Sequence, residues 1–243
     1  MAIDLTTARA PDGMRIYAIG DVHGYADLLI AMHQRIKDDL RRRPVGDWRI
    51  VHVGDYVDRG PDSKAVLDFL IGRMAVDERI IALKGNHDQA MVDFLADPDP
   101  FGMFAQNGGQ ETSRSYGAEL DFTDEQGFQR SARLFDAAVP ALHRRFLAER
   151  PLSTVFGDYF FCHAGIEPGI ALEKQSQRAL LWIRDEFLGD TRLHPKVIVH
   201  GHTPQREVDL KPNRINVDTG IYLRGKLSAV VLDGAEKSVM TVA

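Results

Sequence analysis

Five short clusters in this chain place carboxylate, imidazole and amide side chains beside glycines: Gly20-Asp21-Val22-His23-Gly24, Gly54-Asp55-Tyr56-Val57-Asp58-Arg59-Gly60, Gly85-Asn86-His87-Asp88, His163-Ala164-Gly165 and His200-Gly201-His202-Thr203. Carboxylate and imidazole without thiolate suit borderline divalent cations such as Mn, Fe, Co, Ni or Zn. Two such cations held close together repel one another and need a shared carboxylate between them. A pair of that kind acidifies water near neutral pH and polarises phosphoryl oxygens. The remaining phosphoryl charge is matched by guanidinium forks. A protonated histidine close to a carboxylate then serves a poor leaving group as general acid, worth roughly 10²–10⁴-fold. Taken singly, an Asp-X-His is usually a turn or a helix cap, and Gly-Asn-His reads as a left-handed turn. Five such clusters at five successive strand ends need a common explanation.

The elements that must position them follow from the pattern of the first ninety residues. Met14 to Ile19, Arg49 to Val53 and Arg79 to Lys84 read as strands. Tyr25 to Arg43, Ser63 to Met74 and Asp88 to Ala96 read as helices, the second capped by Asp62 or Ser63. In the first helix Ile30, Ile36 and Leu40 form the expected apolar side, interrupted by His33 and Lys37. A β-α-β-α-β order requires parallel strands and right-handed crossovers. Gly20, Gly54 and Gly85 then fall at the carboxyl edge of the sheet, where ligands bind in open α/β folds. Asp97-Pro98-Asp99-Pro100 breaks this regularity. From there to about Arg150 the chain reads as a mostly helical insertion over one rim, including a helix from Ala141 to Glu149. It has too few apolar residues for a core of its own, so residues 1–243 are expected to form a single domain. The second half turns to β structure: a hairpin of Ser153–Phe156 and Tyr159–Cys162 about Gly157-Asp158, a helix near Leu172 to Ile183, then strands at Lys196–Val199, Arg214–Val217, Lys226–Leu232 and Ser238–Val242. Ala235-Glu236 is expected to turn the last pair.

These motifs resemble the calcineurin-like metallophosphoesterases, over about residues 14 to 225. Within them the chain is similar to the phosphoprotein-phosphatase branch in its bacterial and phage form. Gly-Asp-Tyr-Val-Asp-Arg-Gly is the most specific element, supported by Asn107-Gly108-Gly109 and by Leu181-Trp182-Ile183-Arg184. The symmetrical diadenosine-tetraphosphate hydrolases share all five metal-site motifs. The resemblance implies an α/β sandwich of two mixed sheets flanked by helices, with two divalent cations, manganese foremost, at the carboxyl ends of the strands. It implies Asp21 and His23 on the first cation, Asp55 bridging both, and Asn86, His163 and His202 on the second. His87 is implied as a non-ligand facing the leaving group, oriented by Asp58. Arg59 and Arg184 are implied as phosphate clamps, with Asn86 also meeting the substrate. The implied reaction is attack by a metal-bridging hydroxide with His87 as general acid. Two departures stand out. Asp88 replaces the Glu of many eukaryotic protein phosphatases, and Pro204 replaces a further His ligand of more distant relatives.

The composition narrows the alternatives. The 243 residues carry a net charge of −5, the wrong sign for a non-specific nucleic-acid binder, so no specific DNA binding is expected. One cysteine, Cys162, excludes an intrachain disulfide, and in a strand it points away from His163 and reads as a core thiol. No apolar run approaches the roughly 18 residues of a membrane span. Met1 to Thr7 has neither a basic n-region nor an apolar h-region, so no secretory signal and a cytoplasmic address are expected. A metal-binding module without activity would be expected to lose Asp55, His87 or Arg59, and all three are present. His33, His52, His143 and His194 read as core or surface histidines. His200 is open between a role behind the ligands and packing. Trp182 reads as a core or rim residue that positions Arg184, with nucleobase stacking the sharper alternative. Tyr222 is a weaker candidate for the cleft mouth. The substrate that the resemblance implies is a phosphoprotein or a dinucleoside polyphosphate. Between Asp97 and Glu125 Arg114 is the only basic residue against seven acidic ones. If that segment faces the cleft it repels a polyphosphate, so phosphoserine and phosphothreonine are the expected targets and a symmetrical tetraphosphatase activity is the alternative.

Overall fold

The computed structural model describes residues 2–243. In chain order the elements are β1 (Met14–Ile19), α1 (Ala26–Arg42), β2 (Asp47–His52), α2 (Ser63–Val76), β3 (Ile80–Ala82), α3 (Asn86–Ala96), α4 (Met103–Gln106), α5 (Gly109–Ser115), α6 (Glu125–Ala138), α7 (Ala141–Glu149), β4 (Ser153–Phe156), β5 (Tyr159–Cys162), α8 (Gln177–Trp182), α9 (Asp185–Leu188), β6 (Val197–His200), β7 (Asp209–Lys211), β8 (Arg214–Asn216), α10 (Ile221–Arg224), β9 (Leu227–Asp233) and β10 (Glu236–Val242). They form two five-stranded sheets, ordered β10-β9-β1-β2-β3 and β4-β5-β6-β8-β7. β1, β2 and β3 are parallel, while β9 and β10 join antiparallel at one edge. The second sheet is also mixed, with β5, β6 and β8 parallel at its centre.

Side-chain alternation assigns each strand residue to a layer. Ile16, Ala18, Val51 and Val53 of the first sheet pack against Tyr159, Phe161, Val197, Val199 and Ile215 of the second. The intervening Tyr17, Ile19 and Ile50 face outward onto Met32 and Ile36 of α1. On the far side of the second sheet, Phe160, Cys162 and Ile198 pack with Leu180 and Phe187. A fourth cluster joins Val66, Leu70, Met91 and Phe94 of α2 and α3 to Phe104, Phe128, Phe135 and Phe146 of the rim helices. Each such side chain contributes roughly 1.5–3 kcal/mol of burial, and the rim helices obtain theirs against α2 and α3.

The register sets the site. Ile19 pairs with His52, and His52 with Ala82, so β1, β2 and β3 end level. In the second sheet Phe161 pairs with Val199, and His200 with Asn216. The loops that begin at Gly20, Val53, Leu83, His163 and Gly201 therefore leave their sheets side by side.

Three helix expectations change. The helix near Leu172 to Ile183 is a short 3-10 turn at Leu172–Lys174 followed by α8, because Ser176 caps a new start by accepting the Ala179 N–H (3.1 Å). α3 begins at Asn86, two residues earlier than its apolar pattern. α1 buries Leu29, Met32, His33 and Ile36, and leaves Ile30 exposed. No helix among the described residues is long and apolar enough to cross a membrane.

Candidate active site

The five clusters meet at the level strand ends. Asp21, His23, Asp55, Asp58, Asn86, His87, His163 and His202 are all buried there. His23, Asp55 and His87 offer ligand atoms within 4.8 Å of one another, as do Asp55, His163 and His202, so Asp55 is common to both groups. Asn86 adds its Oδ1, 2.7 Å from His163 Nε2 and 2.9 Å from His202 Nδ1. Asp21 joins neither three-residue group; its carboxylate accepts the His202 N–H at 3.1 Å. His87 enters the first group although its Nδ1 donates to Asp58 Oδ2 at 2.6 Å, which leaves Nε2 as its free ring nitrogen.

The backbone is bent to do this. Among the described residues the non-glycine positions with positive φ are His23 (42°), Asp55 (55°), Asp58 (73°), Arg59 (69°) and His202 (67°), all of them site residues. Such conformations cost on the order of 1–3 kcal/mol each and persist only where the surroundings over-determine them. The surroundings are visible here. Asp88, in the first turn of α3, accepts the N–H groups of Asp55 (2.9 Å), Tyr56 (2.9 Å) and Gly85 (2.8 Å), and so clamps the Asp55 loop to the helix. Asp55 Oδ1 accepts the His87 N–H at 2.9 Å. Gly54 sits at φ 114°, where a Cβ would stand 2.6 Å from the Gly85 nitrogen.

The donor set fits cations. His163 Nδ1 lies 3.0 Å from Val53 O, and His23 Nδ1 2.9 Å from Val57 O. A carbonyl only accepts, so each Nδ1 carries the proton and each Nε2 presents a lone pair. His163 Nε2 therefore faces two further acceptors, Asn86 Oδ1 at 2.7 Å and Asp55 Oδ2 at 3.4 Å. His23 Nε2 faces Asp55 Oδ2 at 3.6 Å. Converging lone pairs repel, and a divalent cation among them turns that repulsion into ligation. Burial holds His23 neutral, pushing it down to about 3, lowers His202 to about 2, and depresses His163 as well. Burial, Asp218 and Asp55 push Asp21 upward, and burial carries Asp218 to about 7. Burial acts to raise Asp55 too, but His163, His87 and His23 outweigh it and hold it ionised. For His87 burial disfavours the charged ring, yet Asp55 and Asp58 outweigh burial and tighten its hold on the proton.

Both phosphate-clamp candidates stand at the mouth. Arg184 Nε donates to His202 Nε2 at 3.0 Å. The Arg59 guanidinium lies over the Tyr222 ring, 4.3 Å from its centroid, and that ring meets His23 edge-on at 5.3 Å. Tyr222 thus belongs to the site. Asn107-Gly108-Gly109 supports Arg59: Gly108 O accepts the Arg59 N–H (3.3 Å), and a Cβ on Gly108 would collide with the Arg59 backbone.

Three residues escaped the sequence reading. Thr112 donates to Asp58 Oδ1 (2.9 Å) and accepts the Asp58 N–H (2.8 Å), with Ser63 Oγ 3.0 Å away. Neither Thr112 nor Ser63 carries a sequence signal, because their partner is 54 and 5 residues distant respectively. Asp218 had one: it follows β8 and precedes Gly220, the same strand-Asp-Gly pattern as the other clusters. His200 lies on the outer face of β6 with Ile198, edge-on to Phe187 at 5.1 Å, so it packs away from the donors. The chain leaves β6 after His200, and the positive φ of His202 redirects the later ring. His33 and His52 are buried partners (Nε2 to Nε2 3.1 Å), and His143 lies between Tyr116 (2.7 Å) and Asp68 (3.0 Å). Cys162 is buried on the outer face, its thiol donating to Gly165 O, and burial pushes it up.

The family model for calcineurin-like phosphoesterases matches residues 14–229, and the chain belongs to that family. Members are metallophosphoesterases, which implies divalent cations, and the buried Asp and His groups described above are arranged to bind them. Among curated relatives, bis(5'-nucleosyl)-tetraphosphatase PrpE [asymmetrical] of Oceanobacillus iheyensis is 25% identical over 234 residues, covering 89% of this chain and 88% of that protein. Serine/threonine-protein phosphatase 1 of Salmonella typhimurium is 31% identical over 105 residues, 43% of this chain and 44% of that one. A crystal structure named provisionally as a diadenosine tetraphosphatase shares the fold at a TM-score of 0.66, with 20% identity over 97% of this chain and 99% of that chain.

Proposed function

We propose that this chain hydrolyses a phosphoanhydride of a dinucleoside polyphosphate at a two-cation centre. The close approach of the Asp55 Oδ2, Asn86 Oδ1 and His163 Nε2 lone pairs, with the His202 ring beside them, supports the cation centre. The tetraphosphatase relative, matched over nearly the whole of both chains, supports the substrate class. Asp55, His163, His202 and Asn86 would hold one cation, and Asp21, His23 and Asp55 the other. Two divalent cations, when bound, acidify the attacking water and polarise the phosphoryl group. Arg59 and Arg184 orient the phosphoryl oxygens, and their delocalised charge offsets the charge of the transition state. His87, held by Asp58 through Nδ1, gives a proton from Nε2 to the departing phosphate oxygen. Asp58 keeps that tautomer, and Thr112 and Ser63 keep Asp58.

Three of the seven acids in the stretch from Asp97, which pointed to a peptide substrate, are committed elsewhere. Asp124 caps α6 on the Gly127 N–H (2.7 Å), Asp121 holds Thr123 (2.6 Å), and Glu119 pairs with Arg114 (2.5 Å). Asp97 and Asp99 border a cavity that Trp182 also lines. The phosphoserine and phosphothreonine reading stays as the second one, favoured by the shorter match to serine/threonine-protein phosphatase 1. The test is a substrate panel in manganese buffer. Diadenosine tetraphosphate is expected to give unequal products, adenosine triphosphate and monophosphate, with kcat/KM above that of any phosphopeptide. Equal products would make the enzyme symmetrical, and a phosphopeptide preferred tenfold or more would replace this reading by the second.

A further inference from the structure

The indole of Trp182 is 41% exposed and belongs to none of the four apolar clusters. It nevertheless stands against the catalytic cluster, edge-on to His202 with 6.4 Å between ring centroids. It also forms a wall of three cavities, two of them of opposite character. One, of about 790 Å³, is shared with Arg178 and Arg184. The other, of about 320 Å³, has Phe94 and Met103 as apolar lining and the carboxyl groups of Asp93, Asp97 and Asp99 around them.

We propose that the second cavity receives the purine base of the substrate, stacked on Trp182, while the phosphate chain passes over the helix face that bears Arg178. The inference rests on the dinucleoside polyphosphate reading above and adds where its base is held. A nucleobase is flat, uncharged and edged with N–H donors. An exposed indole beside the reacting centre supplies the stacking surface that bases use without regard to sequence. The three carboxylates exclude phosphate from this cavity and accept N–H from an exocyclic amine. Asp93 already accepts from Gln89 (2.8 Å) and Asp99 from the Phe101 N–H (2.8 Å), so both are held in place with acceptor capacity to spare. Arg178 precedes Trp182 by four residues on α8, so the two share a face. Arg178 forms no ion pair among the described residues, whereas Arg192 in the same larger cavity is taken up by Asp190 at 2.9 Å. Glu167, Asp185 and Glu186 also border that cavity, so its phosphate-compatible side is the α8 face.

The test compares the wild type with Trp182→Ala and Trp182→Phe on diadenosine tetraphosphate and on p-nitrophenyl phosphate, which lacks a base. Loss of one stacked base corresponds to roughly a 5- to 150-fold fall in kcat/KM. We expect the fall for the dinucleotide to exceed that for the aryl phosphate by about tenfold or more, mainly through KM, with Trp182→Phe restoring most of it. A second measurement does not depend on turnover. Trp48 and Trp182 are the only tryptophans, so a Trp48→Phe protein reports on Trp182 alone. Adenosine monophosphate is expected to quench it saturably, and inorganic phosphate is not. Equal losses on both substrates, or no quenching by adenosine monophosphate, overturn the base site even if the wild type cleaves the dinucleotide. Quenching in an enzyme that does not cleave dinucleotides upholds the base site and overturns the function proposed above.

Discussion

Replacing His87 by asparagine would separate the proposed proton transfer from cation binding. The ring already donates from Nδ1 to Asp58 at 2.6 Å, and its proton is held more tightly than that of an ordinary histidine by Asp55 and Asp58. We expect His87→Asn to lower kcat by roughly 10²–10⁴-fold, with metal content by elemental analysis near that of the wild type. The loss should be smaller for aryl phosphates, whose leaving groups need less protonation. A variant emptied of metal would make His87 a ligand, as its place beside His23 and Asp55 allows. Asp55→Asn is expected to behave in the opposite way. It removes the one charge common to both groups of donors, so both cations should be lost together in equilibrium dialysis, not one. Retention of a full pair by the asparagine protein would contradict the bridging role.

At the scale of elements, the parallel β1-β2-β3 order and the hairpin of β4 and β5 were legible because their alternation and turn residues act locally. Helix faces were less so. His33 interrupts the apolar stripe of α1 in the sequence, yet it is buried, because His52 on the neighbouring strand supplies its hydrogen-bond partner at 3.1 Å. Likewise α3 starts at Asn86 because Asp88 and Asp55 satisfy amides of its first turn, a signal that no apolar period carries. The Asn107-Gly108-Gly109 turn links the rim to the chemistry. Gly108 holds φ 110° and touches the Arg59 backbone. Gly108→Ala is expected to destabilise the fold by about 1–3 kcal/mol through the left-handed strain. The same substitution displaces Arg59, so KM for phosphate substrates should rise more than kcat falls. A melting temperature and KM both equal to those of the wild type would show that the loop does not hold Arg59.

For the whole molecule, the two sheets close on a centre of converging acceptors that cations relieve. Exhaustive chelation is expected to abolish turnover, and added manganese to raise the melting temperature by mass action on the folded state. Full activity with no metal by elemental analysis would exclude a two-cation centre. Stability should also fall in acid for a reason outside the site. Burial depresses His33 to about 4, with Arg73 adding to it, and lowers His52 as well. The unfolded chain therefore takes up protons first as pH falls below about 6.5, and the stability present above that pH is lost progressively towards pH 4. His33 alone accounts for up to about 3 kcal/mol of that loss at the limit. His33→Leu is expected to flatten the decline of melting temperature between pH 7 and pH 4, and an unchanged slope would assign the acid sensitivity elsewhere.

Residue types and their spacing by themselves pointed to the chemistry: acids and imidazoles at five strand ends, in motifs that resemble a family with divalent cations, and it was that resemblance that implied His87 as a non-ligand oriented by Asp58. These were readable because each motif is contiguous and each glycine marks a bend next to a strand. Only the tertiary structure decided which lone pairs face one another, since His163 and Asn86 are 77 residues apart and the His163 tautomer is set by Val53 O. It also decided that Thr112 braces Asp58, that His200 turns outward while His202 turns in, and that Trp182 is left uncovered beside the site. Those outcomes depend on sheet register and on backbone angles that L-residues adopt only under tertiary constraint, and neither is encoded in any window of neighbouring residues.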